Sequence, residues 1–203
     1  MDTNFNHEQN LELINEMITR ARNNVRINGA YSLIFWGYLT AAVAITNCVL
    51  LNTLTNPQQS FWIWSLMLPA CVVSYFIERR IDRKTLVKTH IDKVGSMVWS
   101  GFFISFVVFM VVINTVSLKY GAQRVFMLNT PVIMIMVGMG QFISACVFRQ
   151  KMWFAIAALT WTGAITCAFL GVDVQFIIFA ACMILGFAVP GHILSHQAKK
   201  SHV

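Results

Sequence analysis

The chain reads as all-α: a polytopic membrane protein of six transmembrane helices preceded by an N-terminal amphipathic helix. Three observations predict this. Of 203 residues, 57% are apolar and only 11% charged, where a soluble domain carries about 25% charged residues. Six stretches, near 29–52, 60–77, 95–118, 125–147, 152–171 and 174–194, carry no Lys, Arg, Asp or Glu near their centres. Each has the roughly 17 to 25 residues needed to cross a bilayer as a helix. A barrel strand needs only about 10 alternating residues, so strands do not fit runs of this length.

Residues 1–28 form a polar arm before the first span. Within it, "HEQNLELINEMITRARNNVRI" (7–27) places Leu11, Ile14, Ile18, Ala21 and Val25 at intervals of 3, 4, 3 and 4. That spacing puts them on one helix face, which Leu13 and Met17 widen. Asn6 is a plausible N-cap with Gln9 three residues on, and Asn28-Gly29 a stop before span 1. Glu8, Glu12 and Glu16 precede Arg20, Arg22 and Arg26, an order that suits the helix dipole. Lipid-surface helices are usually rich in Lys and Arg. This arm has no net charge over 7–27, so both an interfacial anchor and packing against protein stay open. The arm lacks the apolar core of a secretory signal, which leaves span 1 as the expected insertion signal.

The stretch "ERRIDRKTLVKTHIDK" (78–93) holds six of the fifteen Lys and Arg. No Pro or Gly interrupts it, so span 2 is expected to continue as a helical stalk and turn at Gly95 into span 3. Its acids leave a net charge of +3, and base-reading partners are missing, which argues against nucleic acid. Thirteen Lys and Arg fall in the arm, the 78–93 loop, the span 4–5 turn and the 195–203 tail, against Lys119 and Arg124 on the other side. The positive-inside rule then places both termini in the cytoplasm, here of a bacterial inner membrane. The opposite connections are too short for a binding domain, so activity is expected at the cytoplasmic face. Leu11, Ile14, Met17 and Ile18 on the arm, with Arg79, Arg80, Arg83 and Lys84 on the loop, are the candidate interaction residues. Their expected partners are the lipid bilayer and a homodimer mate or cytoplasmic protein.

Inside the spans the chemistry is sparse. Asn47, Asn114 and Gln141 are candidates to line a cavity or to bond helices together. Intramembrane ionisable residues, which mark proton and ion paths, are missing from the span centres. His192 and His196 share a helix face at spacing i,i+4. Two ligands do not complete a tetrahedral site, so they are only weak metal candidates and neither metal nor cofactor is expected. The five cysteines all lie in predicted spans without a CxxC pair and are expected to pack as small apolar residues. Pro190-Gly191 is expected to kink or end span 6. Small residues recur four apart at Gly37/Ala41, Gly101/Ser105 and Gly163/Cys167/Gly171, which suits close helix contact within a bundle or between copies. No GxSxG, HExxH, P-loop or GxGxxG appears, so the chain does not read as an enzyme.

The segment "EMITRAR" (Glu16–Arg22) fits an EMIxxAR helix, and the first span opens at "WGY" (Trp36–Tyr38). On these the chain resembles uncharacterised small six-span bacterial membrane proteins, and the resemblance carries no activity. The reading is a regulatory, scaffolding or sensing membrane protein. The alternative is a small transporter, or a transporter subunit, for an apolar or amphipathic molecule.

Overall fold

The computed structural model describes residues 3–82, 90–120 and 123–200, with the arm's side chains described only at Leu11–Leu13. Seven α-helices are described: α1 (Thr3–Thr53), α2 (Met67–Asp82), α3 (His90–Tyr120), α4 (Asn129–Phe148), α5 (Lys151–Cys167), α6 (Val172–Met183) and α7 (Val189–Lys200). 3-10 segments precede α2 (Pro57–Leu66) and α4 (Gln123–Leu128), and a π-helical turn (Ile184–Ala188) joins α6 to α7. Among the described residues there is no strand. Among the described residues five helical runs are long and apolar enough to cross a membrane: Gly29–Thr53, Gln59–Phe76, Lys93–Ser117, Val125–Phe148 and Val172–Gln197.

Three boundaries differ from those the residues suggested, each for a local reason. The stop at Asn28-Gly29 does not occur, and α1 runs through it for 51 residues. A helix C-cap needs a left-handed residue, and Gly29 does not adopt that conformation. Gly95 lies inside α3 rather than at a turn, close against the Phe148 ring at the end of α4. The connection at 83–89, including Arg83 and Lys84, lies outside the described residues. Finally, Pro190 does not end the last span. Its ring excludes the carbonyl four residues back and its nitrogen donates no hydrogen bond. The chain relieves both with the π turn immediately before it and continues helically to Lys200.

Span 2 begins with an unusually long 3-10 segment, opened by Pro57 at its first position. At about 2.0 Å per residue, its ten residues cover roughly the 20 Å that a thirteen-residue α-helix would. This stretching makes the run longer than the same residues would be as α-helix. The turn between α4 and α5 is tight because Arg149 adopts a left-handed conformation (φ 52°). Gln150 then caps α5: its carbonyl accepts from the Trp153 amide at 3.2 Å and its side-chain oxygen from Trp153 Nε1 at 3.0 Å.

The core is an antiparallel cluster of α1, α4, α5 and the α6–α7 run. In α5, Trp153, Ile156, Ala157, Thr160, Gly163, Ala164 and Cys167 are buried, spaced 3 and 4 apart as one helix face requires. That face meets Met134, Val137, Gly138 and Gln141 of α4. A Cβ on Gly138 would collide with the Trp161 indole at Nε1, and one on Gly163 would lie 2.7 Å from Met134 Cε and 2.9 Å from Cys182 Sγ. On α1, Ala30, Gly37, Ala41 and Ala44 are buried. Gly37 abuts the Ala188 backbone and Gly191 abuts Ala30 and Ile34. The small pairs Gly37/Ala41 and Gly163/Cys167 therefore serve packing within the bundle. Gly101/Ser105 faces outward, on an α3 span that is only 6% buried. Ring contacts fasten the periphery: Trp36 of α1 to Phe103 of α3, Trp99 to Phe187, and Phe61 with Trp64 to Phe176.

Candidate functional site

Two regions carry what polar chemistry the bundle has. The first is the end where α7, the α4–α5 turn and the basic residues collect. His192 lies on α7 against α1: its Nε2 is 3.2 Å from the Tyr38 hydroxyl, with the rings edge-to-face at 5.9 Å. His196 stands exposed one turn further on. A cleft of about 550 Å³ opens here beside His192, Ile193, Ser195, His196 and Gln197. A second, of about 230 Å³, flanks it and is lined by Gln150, Lys151, Met152, Ile193, Leu194 and Gln197.

Among the described residues no three His, Cys, Asp or Glu side chains come together as a metal site. The nearest partner of His192 is a phenol, which at neutral pH is a hydrogen-bonding group. We therefore expect elemental analysis of the purified protein to find no stoichiometric transition metal. One tightly held metal per chain, lost in His192→Ala, would contradict this.

On the candidate interaction residues the structure is uneven. Leu11 is 61% exposed on α1. Ile14, Met17 and Ile18 lie on the same helix, with side chains outside those described. Arg79 is exposed on α2, its guanidinium 6.0 Å over the Tyr75 ring. Arg80 is in α2 with its side chain outside those described.

The second region is buried. Gln141 is fully enclosed, and its side-chain oxygen accepts from the Thr160 hydroxyl at 2.8 Å. Its Nε2 has no hydrogen-bond partner, nor does Ser144 Oγ one turn along α4. Gln141 Nε2 lies where a Cβ on Gly186 would be, 2.7 Å from it, so the amide nests against the π turn. Asn47 is likewise fully buried on α1, with neither amide atom paired. An unpaired buried polar group costs about 1–3 kcal/mol, and the fold carries such atoms at Asn47, Gln141, Ser144, Asn129 and Gln175, with Asn47 alone among the described residues unpaired at both of its amide atoms. Asn114 behaves differently. It is exposed on α3 and its amide donates to its own helix, at Met110 O, 2.7 Å away.

Sequence reasoning found Gln141 but missed Thr160, Ser144 and Gly186 around it. Their signal was available: Ser144 and Thr160 are polar residues on the buried stripes of their helices, and Gly186 sits four residues before Pro190. Gln175 was missed as well. Its amide caps the end of α5, donating to Cys167 O at 2.9 Å and Leu170 O at 3.1 Å. All five cysteines are free thiols.

No family model, curated protein or solved structure matches the chain.

Proposed function

We propose that the protein is a six-span regulatory, scaffolding or sensing protein of the bacterial inner membrane, acting through its cytoplasmic face by docking its N-terminal arm on protein. The single observation that carries this reading is the continuity of α1 from Thr3 to Thr53. An amphipathic helix that binds lipid lies in the plane of the interface. A span crosses that plane, so an arm lying flat would need a sharp bend near Gly29, and helices bend sharply only at identifiable breaks. Here the helix is unbroken through Gly29. Residues 3–28 then extend about 39 Å beyond the span at 1.5 Å per residue. Lipid cannot cover an apolar stripe carried that far into water. A protein surface can, and the basic 78–93 loop on the same side offers charge complementary to Glu8, Glu12 and Glu16.

The path of the chain supports reading α5 as a sixth span. α4 runs antiparallel to α5, through Phe142 against Phe154 and Met134 against Cys167. α5 runs antiparallel to the last span, through Ile156 beside Gly186 and Cys167 beside Gln175. If both neighbours cross, the 17 residues of α5 must return the chain between them. They are about 26 Å long, slightly less than the roughly 30 Å hydrocarbon core. An even number of spans puts both termini on one side, as the thirteen-to-two charge bias requires. A reporter active only outside the cytoplasm, fused after Val203, should therefore stay silent. Strong activity would overturn the even-span arrangement.

Filling of the bundle by Trp161 against Gly138, Gln141 against Gly186 and Met134 with Cys182 against Gly163 weighs against a transport path between these helices. The docking reading is tested by disulfide crosslinking between cysteines placed on the arm and on the 78–94 loop, or on a protein that co-purifies. Crosslinks to either support it. Their absence, with lipid-only contacts along the arm, removes it.

A further inference from the structure

We propose that a second copy of this chain covers α1, along one seam running from the arm through the membrane. The proposal rests on the reading that protein, not lipid, covers the arm, and it names the partner.

The arm's spacing of 3, 4, 3 and 4 is that of a two-stranded coiled coil, with Leu11, Ile18 and Val25 at position a and Ile14 and Ala21 at d. Because α1 has no break, the same register continues into the span. There a and d become Ser32, Phe35, Leu39, Ala42, Thr46, Val49 and Thr53. Of these, Phe35, Ala42, Thr46, Val49 and Thr53 are exposed. The residues that α1 buries in its own bundle lie mostly away from the seam: Ala30, Gly37 and Ala44 at f, Ala41 at c and Asn47 at b, with Val43 at e. Trp36, also at e, packs on Phe103 and donates to Ser74. The bundle thus takes the b, c and f side and part of e, Ser32 and Leu39 are half-buried, and the other five residues of the seam stay exposed.

Three features select a second copy as its occupant. The first is direction. Two copies in one membrane emit their arms on the same side, so the seams meet in parallel and in register without further adjustment. The second is charge. In a parallel pair only positions e and g flank the seam. Glu12 and Arg26 fall at b, Arg20 at c and Glu16 at f. The like halves of two arms thus keep most of their charge off the contact, and the acidic face stays free for the basic loop. The third is area. A 51-residue helix is about 76 Å long and presents a strip roughly 10 Å wide. That gives on the order of 760 Å² per partner, near the ~800 Å² of a standard stable interface. In the membrane half, lipid is as apolar as Val49, so close approach at Ala42 and Thr46 adds packing there. The arm half supplies the hydrophobic drive.

The test uses the full chain in membrane vesicles, with the exposed Cys146 replaced by Ser. Single cysteines are placed on the seam (Ile18→Cys, Ala42→Cys, Val49→Cys), off it on the arm (Glu16→Cys) and on the exposed small face of α3 (Gly101→Cys). Under mild oxidation the three seam variants should shift from the 23.0 kDa monomer to a band of twice that mass. Glu16→Cys and Gly101→Cys should not shift. A doubled band at Gly101→Cys with none on α1 would move the contact to α3 and overturn the seam. So would an Ile18→Cys variant that forms no dimer but crosslinks to a second cysteine placed at Thr85 in the 78–94 loop, or to a foreign protein, although docking of the arm on protein would then stand. If no seam position forms a dimer, and the unaltered chain is monomeric by stepwise photobleaching in vesicles, the proposal fails whatever the variants' folding.

Discussion

Replacing Gly37 with leucine is expected to abolish the folded bundle, while the same change at Gly101 leaves it intact. At Gly37 even a Cβ would lie 2.6 Å from the backbone nitrogen of Ala188 and 3.1 Å from the Cβ atoms of Ala188 and Phe187. A helix backbone cannot yield as the end of a flexible side chain can. Overpacking in a core costs about 1–3 kcal/mol, occasionally more. Here the whole isobutyl group must fit between two helices already in backbone contact, so α1 must part from the last span along its length. At Gly101 nothing lies within 4 Å of an added Cβ, and leucine is a better helix former than glycine. Thermal unfolding in detergent, followed by fluorescence of the six tryptophans, checks both. Gly37→Leu should lose its cooperative transition or unfold far below the parent, and Gly101→Leu should match the parent. Equal stability of the two would show that α1 does not pack on the π turn through Gly37.

The second large effect concerns the arm. The double change Ile14→Asp and Ile18→Asp should disperse whatever assembly the protein makes while leaving the membrane bundle folded. Burying one isoleucine side chain contributes about 1.5–3 kcal/mol, so losing two removes roughly 3–6 kcal/mol. At about 1.4 kcal/mol per tenfold, that is a loss of two orders of magnitude or more in affinity. The surface ion pairs between arm and loop, at about 0–1 kcal/mol each, cannot make up the difference. Size-exclusion chromatography with multi-angle scattering, alongside the tryptophan melting curve, separates the two consequences. Loss of assembly with an unchanged melt is the expected result. An unchanged assembly would show that the apolar stripe is not part of the contact.

How much of this was legible beforehand follows from the physics of each feature. Long apolar runs are dictated by hydrocarbon thickness, so most spans appear within a few residues of where composition placed them. The sixth expected run, 152–171, is not among the five long enough to cross: its helix ends at Cys167, where i→i−3 bonds from Ala168, Phe169 and Leu170 tighten the last turn. The break at Asn28-Gly29 was a local signal that the helix overrode. A glycine inside a helix costs only about 1 kcal/mol relative to alanine, less than strong flanking helix supplies. The 3-10 start of span 2 has no composition signature of its own. Gly37 and Gly101 looked alike in sequence, each four residues from a small partner, and only the fold separates the one against a neighbour's backbone from the one facing outward. Of the three span amides that stood out in the sequence, Asn47 and Gln141 proved buried and Asn114 exposed. Periodicity within one helix cannot say which face its neighbours will cover. The Gln141–Thr160 bond joins residues on different helices, and no spacing along the chain announces it.

The central claim is that the arm leaves the membrane and is covered by protein. It is tested most directly by spin labels placed singly along residues 7–27 of the full chain in lipid bilayers, with collision rates measured to oxygen and to a water-soluble nickel reagent. Oxygen concentrates in hydrocarbon and the nickel reagent in water. The account predicts that labels at Ile14, Ile18, Ala21 and Val25 are shielded from both, with nickel access rising at Glu12, Glu16 and Arg20. High oxygen access along the apolar face, with a depth inside the acyl region at every turn, would place the arm on lipid and contradict the account.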